Sequence, residues 1–467
     1  MKRPIFSATL CLLAAVASVD AAIVVPGANG TDGALNITQD TVIDLSRAVT
    51  GSWDQDNTAN AGNGVYDANK WAVVFKYTSV NVLAGKKLTF KNHATRAPVV
   101  WLVSGNVSIS GTVELNGESG AEWGPEDGPV YNPLQRPRGG RLSEPGPGGF
   151  RGGAAWLGSD NVYSAAGFGP GGGRTGPWNG NPYHGTAAGF GTDASRVDWW
   201  GEPGKAYGNP ALLPLIGGSG GGGCKHGTEG FPGGGGGGAI LIACANSFVL
   251  NGGRILANGG DAMESAPQHG IRNGAGSGGG IRLVCASMVG SGSLSAVGGR
   301  NGWSVAGNGR IRLERVSSSN TINVVPAPSS LDLTDGALAL TWPPANAPKA
   351  TVVSVNSVAV TSDPKASFGA STPDASLPLV SSAEVIIETE NVEESSQVVV
   401  RITPRIGLVR NVRDSNGNQQ ARTLADATEV VAVVKEVLSA SPLKIRWRAT
   451  VPTLPGYSAI QARVIRP

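Results

Sequence analysis

Cysteine is scarce. The 467-residue chain has four, and Cys11 lies in the apolar N-terminal run, so Cys224, Cys244 and Cys285 allow at most one bridge within a monomer and a dense disulfide framework is excluded. Histidine (four) and methionine (three) are as rare, and no Cys-x-x-Cys or paired-His spacing of a structural metal site is present. Charge is thin too, at 15%. With Lys2, Arg3 and Asp20 set aside, 35 basic and 33 acidic side chains remain, without any block of one sign. Neither nucleic acid nor an anionic membrane is therefore expected as a partner. Past the N-terminus no run of about 20 apolar residues reads as a membrane span, and Ala462–Pro467 carries neither a hydrophobic tail nor a basic anchor.

Glycine, in contrast, is abundant. The 70 Gly and 30 Pro make up roughly a fifth of the chain, about twice ordinary usage. That excess argues against a helical or doubly wound α/β enzyme. It falls short of collagen's triplet period, and Val/Ile/Leu-bearing stretches argue against disorder. A packed, all-β chain is expected. Met1-Lys2-Arg3, the apolar run to Val19 and the small residues of Val19-Asp20-Ala21 read as a secretory signal over residues 1–21. Leu10 before Cys11 does not suit a lipid-modified cysteine. The mature chain is expected to begin at Ala22 and to be secreted or held at an extracellular surface.

Glycine also divides the chain. Residues 327–467 hold only Gly336, Gly369, Gly407, Gly417 and Gly456, leaving 65 before them. Two domains follow, 22–316 and 331–467, joined by a polar linker at 317–330 that carries Pro326 and Pro328. An internal repeat runs through the first. Val100–Ser104, Val107–Ser110 and Thr112–Gly117 are echoed by Ile240–Cys244, Phe248–Asn251 and Arg254–Gly260. Ile281–Cys285, Met288–Gly290 and Ser293–Gly299 repeat the pattern, and Ile311–Arg315 begins it again. Such units bury an apolar side only by stacking at about 4.8 Å, with Ile281, Leu283, Ile311 and Leu313 inward and Arg282 and Arg312 outward. Thr41-Ile43-Leu45 and Trp71-Val73-Phe75 mark earlier inward faces or an N-terminal cap. This predicts a glycine-rich, right-handed β-helix or solenoid-like domain, with a glycine-rich sandwich as the alternative. Runs such as Gly220–Gly223 and Gly233–Gly238, lacking Cβ atoms, suit packed polyglycine strands or a tight floor under the stack. In the second domain Val352–Val355, Val385–Glu388, Val398–Ile402 and Lys444–Arg448 read as strands, Val430–Leu438 as another, and Asn416-Gly417 as a hairpin turn. An immunoglobulin- or fibronectin-like β-sandwich is expected.

The segments Gly278–Leu283 and Gly309–Glu314, followed by a domain ending Gly456-Tyr457-Ser458-Ala459-Ile460-Gln461, resemble a group of exported bacterial glycine-rich repeat proteins with no characterised activity. The resemblance covers most of the mature chain, carries no catalytic motif, and implies location and architecture only. The glycine runs are also similar to glycine-rich regions of certain receptor ectodomains and phage adhesins, a likeness of composition.

Candidate chemistry is sparse. Gly217-Gly218-Ser219-Gly220-Gly221 matches a nucleophile elbow, but the strand before and helix after it that an elbow requires are missing. Cys224 and His226 offer soft ligands without convergent partners. Asp54, Asp56, Asn57, Asn60, Asn63 and Asp67 offer oxygens for Ca²⁺, with a solvated turn as the favoured reading; no other cofactor is indicated. Cys244 and Cys285 occupy one repeat position, where directions on parallel strands favour buried thiols over a bridge. The insertion at about 121–232 is rich in rings. Trp123, Trp156, Trp178, Trp199, Trp200 and Tyr183 are the candidate aromatic platform for a sugar face, against the alternative of a compact cap. Glu122, Glu126, Asp127, Asp198 and Glu202 are the carboxylates available for glycosidic cleavage. The expectation is a non-enzymatic surface or matrix protein whose partner is a polysaccharide or other envelope component. A carbohydrate-active enzyme (polysaccharide lyase or glycoside hydrolase) on a β-helix is the alternative, and self-association a third.

Overall fold

The computed structural model describes residues 21–467 except 56–61, 121–141, 155–161, 164, 179–180, 196–201, 227–228, 263–272, 301–304, 362, 365–372, 406, 414–418, 424–426 and 454–455. The described chain is all-β, arranged in several sheets. It holds no α-helix, and its one helical turn is the 3-10 segment Leu45–Arg47.

Layers of parallel strands build the N-terminal part. They are β1 (Ala34–Ile37) and β2 (Thr41–Asp44); β3 (Ala72–Tyr77), β4 (Ser79–Val82) and β5 (Lys87–Lys91); β6 (Val99–Val103), β7 (Val107–Ile109) and β8 (Thr112–Glu114). Three long strands follow, β9 (Ala239–Leu256), β10 (Gly280–Ser295) and β11 (Arg310–Val325), then the short β12 (Ser329–Asp332). One face stacks β3, β6, β9, β10, β11 and β12. A second stacks β1, β4, β7, β9, β10 and β11, and a third β2, β5, β8, β9, β10 and β11. Between β9 and β10 the register shifts at Cys244/Ser247 and Asn251/Gly253, where each strand passes from one face to the next.

Period-two alternation sends one set of side chains from all three faces into a common core. Phe75, Trp101, Ile242, Leu283 and Leu313 form one in-register column, and Val80, Val107, Phe248 and Met288 another. Leu88, Val113, Ile255 and Leu294 form a third, and all three columns meet in one cluster. Ile281, Leu283, Ile311 and Leu313 face inward as their spacing predicts. The first face is apolar on its outer side too. Val74, Val100, Leu102, Leu241, Ala243 and Val284 are covered there by Ile23, Val25 and Ala339, which is why these strands read as continuous apolar runs. Arg282 faces outward as expected yet is only 1% exposed. Its Nη2 donates to Glu314 Oε1 at 2.9 Å and to Leu340 O at 2.6 Å.

The glycine runs form the second body. Residues 233–238 donate in turn to three neighbours: Gly233 and Gly236 to residues 150–153, Gly234 and Gly237 to residues 274–277, Gly235 and Gly238 to residues 115–118. A donor direction that recurs every third residue is the signature of the left-handed polyproline II helix, which has no internal hydrogen bonds. The same segment accepts from residues 146, 218, 221 and 260, so it is ringed by neighbours that satisfy its backbone. Residues 217–223 and 273–279 are packed in the same manner and are buried throughout. A Cβ on Gly221 would overlap the Gly274 carbonyl, and one on Gly276 the Gly235 carbonyl. Only glycine allows this interchain spacing. The bundle grows out of the strands: β8 runs into residues 115–120, β9 into 257–262 and β10 into 296–300, while 233–238, 274–279 and 305–309 lead back into β9, β10 and β11. Asn side chains tie the exits together, Asn116 Oδ1 accepting from Asn258 N and Asn258 Oδ1 from Val297 N.

The C-terminal part is antiparallel. It comprises β13 (Lys349–Val355), β14 (Val358–Ala359), β15 (Ser382–Glu390), β16 (Gln397–Pro404), β17 (Thr428–Val431), β18 (Val433–Ala440), β19 (Leu443–Pro452) and β20 (Ser458–Ile465). One sheet runs β14-β13-β15-β19-β18 and the other β17-β16-β20. Val385, Ile387, Val398, Val400, Ile445 and Trp447 close the core between them, and Trp447 Nε1 donates to Thr389 Oγ1 at 2.8 Å. The expected strand over Val430–Leu438 is shared by β17 and β18. The Asn416-Gly417 turn lies outside the described residues, but the strands flanking it, Gly407–Arg413 and Gln419–Thr423, pair antiparallel. This part touches the glycine bundle through Arg401, whose Nη2 donates to Gly167 O and Gly172 O, and through pairing of Val162–Tyr163 with Gly407–Leu408.

Residues 317–330, read from sequence as a linker, are a correction. Residues up to Val325 complete β11 against β10, and Ser329 and Ser330 begin β12. The segment looks like a linker because, among the described residues, nothing stacks beyond it on two faces: Ser318 and Asn320, which register with Met288 and Gly290, are exposed.

Candidate functional site

The sequence-predicted platform lies mostly outside the described residues: Trp123, Trp156, Trp199 and Trp200 fall there. Trp178 and Tyr183 sit on a hairpin of Thr175–Trp178 and Asn181–Gly185 whose backbone pairing is described, but their own side chains are not. What is described is where the flanks of these segments stand. Gly120 N donates to Asp261 O, Ala165 N to Ala154 O, Thr186 N to Arg174 O, Ser195 N to Val305 O and Ala262 N to Arg300 O. These residues all occupy the end of the bundle opposite the parallel stack. Among the insertion's other rings, Tyr207 is interior: its hydroxyl donates to Gly217 O at 2.6 Å, and its ring packs on Phe190 at 4.7 Å.

Of the candidate carboxylates, Glu202 is described and exposed; Glu122, Glu126, Asp127 and Asp198 lie outside. Ser219 is no nucleophile. It is fully buried, its Oγ accepts from Gly171 N and donates to Tyr207 Oη, and its own backbone is held by Ser277. Of the proposed Ca²⁺ ligands, Asp67 is committed to turn backbone, accepting from Trp53 N and Asn69 N, whereas Asp56, Asn57 and Asn60 lie outside the described residues. Among the described residues no group of His, Cys, Asp and Glu is placed to hold a metal. Cys224, Cys244 and Cys285 are buried free thiols, as the parallel register of Cys244 and Cys285 predicts. Burial pushes the Cys224 thiol up to about 12.

The structure adds a cleft that sequence reasoning missed. It has a volume of about 430 Å³ and opens where β5 and β8 meet residues 144–147 of the bundle. Carbon atoms of Phe90, Leu115, Pro145 and Pro147 line it together with polar Asn116, Glu118 and His93. Most of its charged groups engage one another. Glu144 lies between two guanidinium groups, with Arg96 Nε donating to its Oε2 at 3.0 Å and Arg151 Nε to its Oε1 at 2.7 Å. Burial raises the Glu144 carboxyl above its ordinary value, and Arg96 opposes that rise. Glu114 is ion-paired with Lys87 at 2.5 Å, and Lys91 with Asp44 at 2.9 Å. Glu118 Oε2 accepts from Glu144 N at 2.9 Å. His93 stacks on Tyr66 with centroids 4.1 Å apart, and Tyr66 donates to Asp363 Oδ1 at 2.6 Å. The lining residues come from segments as far apart in sequence as Thr89 and Pro147, so no local motif announces them.

Comparison with protein families, with curated proteins and with solved structures finds no match to this chain. Among the described residues no helix is long and apolar enough to cross a membrane.

Proposed function

We propose that the chain is an exported, non-enzymatic structural or adhesive protein of a cell surface or extracellular matrix, and that glycan is its contact. In this reading residues 1–21 are a removed signal. The parallel layers with their bundle are a right-handed β-helix-like body, and the antiparallel C-terminal part is an immunoglobulin- or fibronectin-like sandwich serving as spacer or docking module. The observation that carries the reading is the convergence of the insertion's described flanks at one end of a close-packed bundle. A rigid body that gathers its connections at one end is the arrangement in which loops carry binding. The Trp- and Tyr-bearing segments join at those flanks, and ring faces suit sugars. The enzymatic alternative would draw on Glu122, Glu126, Asp127, Asp198 and Glu202, of which Glu202 is described and exposed.

The test is a broad polysaccharide array with the mature protein, Ala22 to Pro467, assayed in parallel for reducing or unsaturated ends. Binding without product, weakened in Trp199→Ala/Trp200→Ala, is the expected result. Product release instead establishes the enzyme, and neither signal leaves a purely structural role.

A further inference from the structure

We propose that the cleft between β5, β8 and residues 144–147 is a second carbohydrate site, one that takes a neutral hexopyranose unit of a polysaccharide. The inference rests on the glycan reading above and adds a location and a ligand class to it.

Size comes first. A cleft of about 430 Å³ falls in the range of small-ligand sites and accommodates a sugar ring with its substituents. The lining is amphipathic in the manner a pyranose requires. Phe90, Leu115, Pro145 and Pro147 offer carbon to the C–H face of the ring, and Glu118 offers a polar atom to its hydroxyls. Glu118 is exposed, and with Oε2 engaged by Glu144 N its Oε1 has no partner among the described residues. A carboxylate oxygen so placed accepts strongly from a hydroxyl.

Charge decides the class. Arg96 and Arg151 share Glu144, Lys87 pairs with Glu114 and Lys91 with Asp44, and with the Glu118 carboxylate added the charges around the cleft sum to zero. A phosphate, sulfate or uronate entering would meet cations already committed to carboxylates, beside the Glu118 oxygen that has no partner among the described residues. A neutral polyol meets no such conflict. The Arg96–Glu144–Arg151 cluster then acts as a brace, holding residues 144–147 against the strands so that the cleft keeps its shape without ligand.

The experiment titrates neutral gluco-, manno- and galacto-oligosaccharides, and their uronate counterparts, into the full mature chain by calorimetry. Two cleft variants are used. Ala94→Trp fills the cleft from an exposed position without removing a contact, and Glu118→Ala removes the open acceptor. Trp199→Ala/Trp200→Ala is run beside them, each protein first shown to melt as the parent does. The expected result is a neutral oligosaccharide bound by the parent and by the tryptophan variant, and weakened about tenfold or more in both cleft variants, the loss of roughly one good contact. Neutral binding unchanged in both cleft variants overturns the cleft site and leaves the glycan reading standing. Cleft-dependent binding of uronates alone overturns the neutral class. No binding of any glycan by the parent overturns the glycan reading and the site together.

Discussion

A methyl group on Gly276 has nowhere to go, because the position its Cβ would take belongs to the Gly235 carbonyl, and both are backbone. Gly276→Ala should therefore cost about 3 kcal/mol, the upper end for overpacking a filled interior. Gly252→Ala is the control. Gly252 has φ +72 with open space around it, so the substitution should cost about 1 kcal/mol of left-handed strain. Chemical denaturation of both variants checks the ranking, and equal costs would remove close approach as the reason for the glycines. The thiols give a second residue-scale expectation. With its thiol raised from 9.0 to about 12 by burial, Cys224 contributes stability in full below about pH 9 that is lost as pH rises toward 12. Thiol reagent at pH 8 should label none of Cys224, Cys244 and Cys285 in the native protein and all three after unfolding.

At the scale of elements, the buried ion pair between β10 and β11 is a pairing device on a mostly apolar surface. Arg282 and Glu314 are 1% and 4% exposed, and the guanidinium also holds Leu340 O, which pins the returning segment over the first face. Glu314→Ala should cost about 3–5 kcal/mol by leaving Arg282 charged, buried and half-paired. Arg282→Met combined with Glu314→Leu should lie within about 1 kcal/mol of the parent. Thermal melts of the single and double variants separate these outcomes. A Glu314→Ala variant as stable as the parent would mean that neither Arg282 nor Arg312, which also donates to Glu314 Oε1, draws net stability from that carboxylate.

At the scale of the whole molecule, among the described residues, polar contacts at Arg401 join the antiparallel part to the bundle. Arg401 is 4% exposed and spends Nη2 on two bundle carbonyls and Nη1 on Glu429. Arg401→Met should leave each part folded but loosen their coupling, so that calorimetry resolves two transitions where the parent shows a more nearly single one. An unchanged trace would place the coupling in the strand pairing at Val162–Tyr163 instead. The same scale governs function: the platform reading depends on the insertion's connections being presented together. Trp199→Ala/Trp200→Ala should reduce glycan retention on the array while leaving the melt of the bundle unchanged.

Local pattern was enough to establish the β class, the repeat and its phase. Alternation around Ile281-Arg282-Leu283 fixes which side chains face inward whatever lies outside the strand, because successive Cβ atoms must point to opposite sides. Glycine runs likewise announced close packing, since six consecutive residues without Cβ can order only where backbone meets backbone. Partners were another matter. Residues 233–238 bond to segments as distant as 115–118 and 274–277, and glycine has no side chain with which to record which neighbour it meets. Burial of Arg282 depends on a strand that returns from Leu340, and the exposure of Ser318 and Asn320 on the stack simply ending there, so a polar strand passed for a linker. The cleft depends on bringing β5, β8 and residues 144–147 together. The sequence by itself determined the backbone class, the inward faces and the need for glycine. Only the tertiary structure decided which backbones meet, which charges are paired and where a ligand-sized space remains, because those follow from contacts between residues that no local pattern relates.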